Sequence, residues 1–447
     1  MNNNQKNNLT EGSIIKKLLL VAVPIMGTQL MQMAYNLVDM YFLGRIGADA
    51  VAASGTAGMY MWLSMGPMMV SRTGAEVSVA QSFGRRDIHE AKSIAQNALA
   101  LALALGLCYA FITIMFREQL VGFFGIQEKN VVSYTEQYLM IVSNAIPLTY
   151  LTAVWSGLFN ASGNSRTPFY CSASGLALNI MLDPLFIFHF KMGIAGAAWA
   201  TVISQTVVCV AIFLCFRKSK MRPFDNFSFK IKLKYQKIKQ IVKIGFPVGV
   251  ESLLFTFLTM LINRILAGYG SDALALMRVG SQIESLSWLI GGGFSVALMA
   301  FVAQNVGAKK PERIRKCLKI GLMLMLIWET IVTIALFVWG KDLFYIFLPD
   351  PTLQETAKNV MRIIAVCQLF MALETVYGAV FKGTGNTAKV AVASAVPNVL
   401  RVGIAYLLAS TSLGVYGVFW AATIGASLRG VWMWLWYWKL DRQNKIL

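Results

Sequence analysis

Residues 14–47 read IIKKLLLVAVPIMGTQLMQMAYNLVDMYFLGRIG, and residues 237–270 read KIKQIVKIGFPVGVESLLFTFLTMLINRILAGYG. Each stretch contains more than the ~20 mostly apolar residues that a helix needs to cross a bilayer. Pro24 and Pro247 stand at the same place in the two stretches, and Gly47 and Gly270 close them at the same place, 223 residues apart. Outward from this pair the offset persists: Ala50 matches Ala273, Gln81 matches Gln304, and Gly84 matches Gly307. Further along, Gly163 matches Gly385 at 222, and Gly193, Gly196 and Trp199 match Gly414, Gly417 and Trp420 at 221. An ordered series that drifts by two residues over half the chain is a duplication. If each unit holds an even number of spanning helices, the two copies share one orientation and are related by an axis along the membrane normal.

Composition agrees with a membrane location. The chain has 447 residues, of which 57% are hydrophobic and 14% charged, and its mean hydropathy is +0.59. A soluble protein of this size needs far more polar surface, so a soluble enzyme and a disordered chain are excluded. Twelve apolar runs are long enough to span: about 14–44, 49–80, 92–116, 132–159, 167–190, 194–216, 241–269, 273–303, 316–339, 355–381, 390–410 and 414–438. No period-2 alternation is sustained, which argues against a β-barrel. The expected fold is therefore an all-α polytopic membrane protein. Its twelve transmembrane helices form two parallel-repeat six-helix lobes around a central cavity: 1–216, a basic linker 217–240, and 241–447.

The formal net charge of +19 would suggest a nucleic-acid partner in a soluble chain. Here the basic residues fall in the breaks between runs, and we expect no nucleic acid. With the N-terminus inside, alternate loops hold 28 Lys and Arg on the inner side against 6 on the outer. Lys and Arg collect in cytoplasmic loops, so both termini are expected in the cytoplasm of a multi-pass protein of the cell inner (plasma) membrane. The linker reads as a solvated topology determinant rather than a specific lipid site. The polar start MNNNQKNNLTEGS lacks a signal-peptide core, so the first run is expected to remain as a membrane helix. Six scattered cysteines form no CxxC, and neither a GxxxxGK[ST] nor an HExxH motif occurs. No disulfide framework, ATP site or metalloprotease centre is expected, and no cofactor.

Charges inside membrane helices are costly and mark functional sites. Arg72 and Glu76 are four apart and read as a local pair, while Arg45, Arg362 and Arg429 read as interfacial. The informative acids are Asp39, Asp183, Glu251, Glu284 and Glu374, with Arg264, Arg278 and Arg401 as possible partners. Asn36 precedes Asp39 by about one turn on the same face and is expected to join it in a first-lobe cation-coupling site. Asn179 precedes Asp183 by four residues and shares its helix face, and Pro184 leaves the carbonyl of Ile180 without its donor. Two carboxylates, one or two amides and a free carbonyl make an oxygen-rich pocket suited to a hard cation such as Na⁺. Burial and a neighbouring carboxylate favour the neutral acid, so the same pocket can hold a proton. The alternative is that each Asp merely bonds a nearby polar group. Glu251 and Glu374 are either a second site or charges paired with Arg278 or Arg401. Pro24 and Pro247 permit helices 1 and 7 to bend.

Taken together, these residues resemble those of the multidrug and toxic compound extrusion (MATE) transporters, prokaryotic type. The carriers are Pro24, Asn36, Asp39, Gly44 and Gly47, the paired motifs VAQSFG (79–84) and VAQNVG (302–307), FNASGNSRTP (159–168), FKGTGNT (381–387) and NIMLDP (179–184). The resemblance covers nearly the whole chain. It implies alternating-access export of organic cations or amphiphilic compounds in exchange for Na⁺ or H⁺, with no enzymatic activity. In one prokaryotic branch it implies a first-lobe cation site at Asp39, Asn179 and Asp183, supported by Tyr138 and Thr201. In another it implies a second-lobe site at Glu251 and at a helix-10 acid, here Glu374 rather than Asp. The expected partners are the lipid bilayer and small cationic or amphiphilic substrates, and we expect a monomer. Two other readings are a lipid-linked precursor flippase, for which Arg264, Arg278 and Arg401 are the available cavity cations, and a channel.

Overall fold

The computed structural model describes residues 8–219, 224–225, 227–228 and 232–443. All twelve apolar runs are helical, and the described residues form fourteen α-helices. The first half holds α1 (Ile14–Gly44), α2 (Ala48–Gly84), α3 (Ile88–Met115), the short α4 (Arg117–Gly122), α5 (Lys129–Ser143), α6 (Ile146–Ala161), α7 (Arg166–Pro184) and α8 (Gly193–Arg217). The second holds α9 (Tyr235–Ala267), α10 (Ser271–Gly307), α11 (Pro311–Phe347), α12 (Gln354–Gly383), α13 (Thr387–Ala409) and α14 (Val415–Arg442). Local chemistry sets several boundaries. The Asp87 carboxylate accepts from the Glu90 N–H at 2.9 Å and caps α3, and Pro311 opens α11 where a missing N–H costs nothing.

Two departures from the sequence reading are physical. The run 132–159 is two helices, α5 and α6, meeting at 48°, because Pro147 beside the junction cannot continue the ladder of the preceding helix. Among the described residues, counted by length and apolar character, nine helices can cross a membrane, and ten if α5 and α6 form one span. The two of the twelve runs that fall short are α2, diluted by Ser and Gly along its length, and α14, which carries five tryptophans. α1 runs through Pro24 and α9 through Pro247 without a break, and the Thr28 hydroxyl donates to the Pro24 carbonyl at 3.0 Å.

The two halves pack alike. α1 lies on α7 as α9 lies on α13; α2 lies on α3, α5 and α6 as α10 lies on α11 and α12; α8 meets α5, α6 and α7 as α14 meets α12 and α13. Matched backbone positions share unusual dihedrals: Gly163 and Gly385 have φ of 80° and 84°, and Arg86 and Lys309 have 62° and 54°. Across the halves, α1 packs on α10, and α2 packs on both α9 and α10. Lipid gives helices little hydrophobic reason to associate, so close approach of backbones over small residues does that work. A Cβ on Gly245 would sit 1.9 Å from the Val70 carbonyl, one on Gly74 2.2 Å from that of Ile241, and one on Gly293 2.8 Å from the Met26 backbone. These contacts occupy the end of the bundle that carries the basic turns. Toward the other end a Cβ on Gly44, Gly55, Gly58 or Gly270 would meet nothing within 4 Å.

Within the first half the Tyr150 hydroxyl, fully buried on α6, donates to the Ser64 carbonyl of α2 at 2.6 Å. Tyr150→Phe should lower stability by roughly 1 kcal/mol, read as a small drop in the thermal midpoint of the detergent-solubilised protein with transport unchanged.

The 217–240 linker is corrected in part. Residues 220–223, 226 and 229–231 lie outside the described residues. Of the rest, Phe224 is buried with its ring 4.5 Å from that of Phe216. The Lys234 N–H donates to Asn97 Oδ1 at 2.8 Å, and Asn97 Nδ2 donates to the Lys232 carbonyl at 3.3 Å. A buried Asn that can bond backbone in both directions docks the linker on α3, so it is not simply solvated. All six cysteines are free.

Candidate cation-binding site

Asp183 and Asn179 sit one turn apart on α7, both fully buried, and Asn179 Nδ2 donates to Asp183 Oδ1 at 3.2 Å. α1 packs on α7 and α5 lies against α8, which brings Asp39 and Tyr138 to the same place. The Tyr138 hydroxyl donates to Asp39 Oδ2 at 3.3 Å, and the Asp39 carboxylate interacts directly with Asp183 and with Asn179. From α8, Thr201 and Ser204 flank the hydroxyl of Tyr35, and Thr201 also reaches Tyr138. Five of the six residues read from the sequence for the first half, Asp39, Asn179, Asp183, Tyr138 and Thr201, therefore meet.

Asn36 does not join them. It is exposed and makes no hydrogen bond to the group. Three residues earlier leaves a side chain about 60° to one side of Asp39 and four residues earlier about 40° to the other, and the cluster lies on the second side. The side chain beside Asp39 is accordingly Tyr35, four residues earlier, which the sequence reading missed and the i, i+4 spacing offered.

Six buried oxygens of this cluster have no hydrogen-bond partner among the described residues: Asp39 Oδ1, Asp183 Oδ2, Asn179 Oδ1, Thr201 Oγ1, Ser204 Oγ and the Tyr35 hydroxyl. Buried polar atoms are rarely left unsatisfied, and orphaned oxygens on several helices around two carboxylates mark a place for a cation. Carboxylate, amide and hydroxyl oxygens suit Na⁺ or a shared proton rather than a transition metal. Among the described residues, no three His, Cys, Asp or Glu gather to hold a metal ion.

In the second half the acids are treated differently. Glu374 on α12 is held by Arg429 on α14, with Nη2 to Oε2 at 3.3 Å. This corrects two expectations: Arg429 is an internal partner rather than an interfacial residue, and Glu374 pairs with it rather than with Arg278 or Arg401. The cause is the α12–α14 packing, a tertiary contact that helix periodicity does not report. Glu251 faces Glu374, and its Oε2 is buried without a partner. Arg401 instead stacks over the Phe255 ring at 5.7 Å and donates to Thr259 Oγ1 at 3.4 Å. Glu284 accepts from Gln368 Nε2 at 3.2 Å. Glu329 on α11, missed in the sequence, is 1% exposed and accepts from the Ser287 hydroxyl at 2.8 Å. Its signal was available, a lone acid within the apolar run LMLMLIWETIV. The Arg72–Glu76 pair is present at 4.0 Å.

The MatE family model matches residues 24–185 and again residues 247–407. The chain belongs to the MatE family. It is thus a multi-pass membrane transporter and not an enzyme, and the two matches fall on the two halves of the repeat. Among MatE relatives, the probable multidrug resistance protein NorM of Thermotoga maritima is 28% identical over 84% of this chain and 81% of its own length. The probable multidrug resistance protein YoeA of Bacillus subtilis is 25% identical over 97% of this chain and 96% of its own. The multidrug export protein MepA of Staphylococcus aureus is 23% identical over 93% and 91%. An outward-facing multidrug resistance MATE family transporter of the MOP superfamily superposes with a TM-score of 0.92, at 20% identity and with 98% of each chain covered. A MOP superfamily transporter from Pyrococcus furiosus, described as having a binding pocket of reversed polarity, gives 0.92 over 99% of each. The all-α polytopic fold expected from the sequence is the fold of these MatE structures.

The Tyr138–Asp39 hydrogen bond gives the cluster a graded test. Tyr138→Phe removes the donor but keeps the ring, so if the cluster holds a cation its affinity should weaken about fivefold. Unchanged cation dependence would mean that Tyr138 has no part in the site.

Proposed function

We propose that the chain is a secondary active exporter that moves organic cations or amphiphilic compounds out of the cell in exchange for Na⁺ or H⁺. The observation that carries this reading is the first-half cluster: two carboxylates with no basic partner among the described residues, surrounded by orphaned oxygens. A membrane-buried pair of acids is costly unless a cation or proton compensates it. Occupancy therefore changes the stability of whichever conformation holds the pair together, and an ion shifts a conformational equilibrium only through such differential affinity. Asp39, Asn179, Asp183, Tyr138 and Thr201 are the coupling residues in this reading, joined by Tyr35 and Ser204. The pairing of Glu374 with Arg429 favours the first half over Glu251 and Glu374 as the coupling site.

The two lobes, 1–216 and 241–447, alternate around the cavity between them. The density of Lys and Arg at one end supports a plasma-membrane location with both termini in the cytoplasm. The names of the NorM, YoeA and MepA relatives support drugs and similar amphiphiles as substrates.

Reconstituted protein loaded with tetraphenylphosphonium, with Na⁺ and pH gradients imposed separately, tests the proposal. Uphill movement of the cation under at least one gradient is expected. Movement only down its own gradient under both would indicate a channel and overturn the reading.

A further inference from the structure

The repeated motifs VAQSFG and VAQNVG are not used by the cation cluster, yet they meet each other. Gln81 Nε2, in the first half, donates to the carbonyl of Gly383 at 3.0 Å, the last residue of α12 in the second half. Gln304 Nε2, in the second half, donates to the carbonyl of Ala161 at 2.6 Å, the last residue of α6 in the first. Gln81 and Gln304 are equivalent in the repeat, as are Ala161 and Gly383, so the two bonds form a reciprocal pair. Each glutamine satisfies a helix-end carbonyl that has no partner within its own helix.

The glycines of the same motifs make the pairing possible. A Cβ on Gly84 would lie 1.9 Å from the Gln304 carbonyl oxygen, and one on Gly307 2.0 Å from that of Gln81. α2 and α10 therefore cross with their C-terminal turns in backbone contact. Gln304 is fully buried, and its Oε1 also accepts from the Leu9 N–H at 3.1 Å. The Leu9 carbonyl accepts from Asn305 Nδ2 and Arg313 Nε, each at 3.3 Å. The N-terminal segment thus lies over the second glutamine but not the first.

We infer that Gln81 and Gln304 form a reciprocal latch that closes the basic end of the transporter, and that both bonds must break for the cleft to open to that side. The inference rests on the alternating-access reading but is read out without transport, so the two can fail separately. The bonds join opposite halves, and α6 and α12 cannot move away from α10 and α2 while they hold. Each bond should weight the closed state roughly fivefold, and the two together about twenty-five-fold.

The test is a distance measurement on the full chain in lipid. Spin labels are introduced as noncanonical amino acids at His89 and Glu312, exposed and equivalent positions in the first turns of α3 and α11. Conditions are chosen so that short and long distances are both populated. Gln81→Glu and Gln304→Glu keep the shape and remove the donor. Each should raise the long-to-short ratio about fivefold, and the double variant should raise it further. Gln81→Ala and Gln304→Ala carry the same test if a buried glutamate impairs folding. An unchanged ratio in the singles and the double overturns the latch. A shift from Gln304 alone also overturns it, because closure would then depend on the Leu9 segment rather than on the reciprocal pair.

Discussion

Asp39→Asn and Asp183→Asn should each abolish gradient-driven export, a loss of at least 100-fold in the uphill rate, while the protein reaches the membrane folded and in normal amount. Asparagine keeps the shape of the side chain and removes the charge whose burial needs compensation, so the fold has nothing to lose at this position. Asp183 already accepts from Asn179, and Asp39 from Tyr138; an amide oxygen can continue to accept both bonds. What disappears is the difference in cation affinity between the two conformations, and without that difference a gradient cannot bias the cycle. Substrate binding should survive, and downhill exchange with it. Glu251→Gln, in the other half, should retain most uphill export. Uphill efflux measured at equal expression decides: full activity in both Asp variants with loss only in the Glu251 variant would move coupling to the second half.

The second large effect concerns stability. Arg429→Ala should cost roughly 1–3 kcal/mol, because removing one partner of a half-buried ion pair leaves the other uncompensated. Arg429 holds Glu374 at 3.3 Å with side-chain exposures of 14% and 24%, and it also faces Glu284. Its loss strands Glu374 and removes one of the favourable charges near Glu284, which keeps Gln368. Replacing both members, Glu374→Gln with Arg429→Gln, should recover most of the stability, since the exchange of a buried pair for neutral groups is often close to neutral. Thermal unfolding of the three detergent-solubilised proteins reads this directly. If the single and double variants melt together, the pair has no structural role and Glu374 becomes available for coupling.

How far the sequence could be read depended on whether a signal was local. The Asn179–Asp183 pair lies on one helix at a four-residue spacing, and acids within apolar runs stand out on composition alone, so Asp39, Asn179 and Asp183 were legible. Tyr35 carried the same spacing and was passed over for Asn36, which lies off the face. Glu329 was as visible as Glu284 and was overlooked. The Glu374–Arg429 pair was not legible, because it depends on α12 meeting α14, and neither helix records its neighbour. The repeat was legible, and it anticipates the paired positive-φ positions and the equivalent packing of the halves. The break between α5 and α6 was marked by Pro147 but hidden inside a long apolar run. The dilution of α2 by glycine and serine has its reason in the interface, where Gly74 lets the α9 backbone approach.

The central claim is that the Asp39–Asp183 cluster holds a cation whose occupancy is linked to substrate. Linkage is reciprocal: if the cation weakens substrate binding, substrate must expel the cation by the same factor. The most direct measurement is therefore made on purified protein with no membrane gradient. Tetraphenylphosphonium is titrated in while released protons and bound ²²Na⁺ are counted. The wild-type protein should release one of the two on binding the organic cation, and the Asp39→Asn, Asp183→Asn double variant should bind it and release neither. Equal release from wild type and double variant would contradict the account.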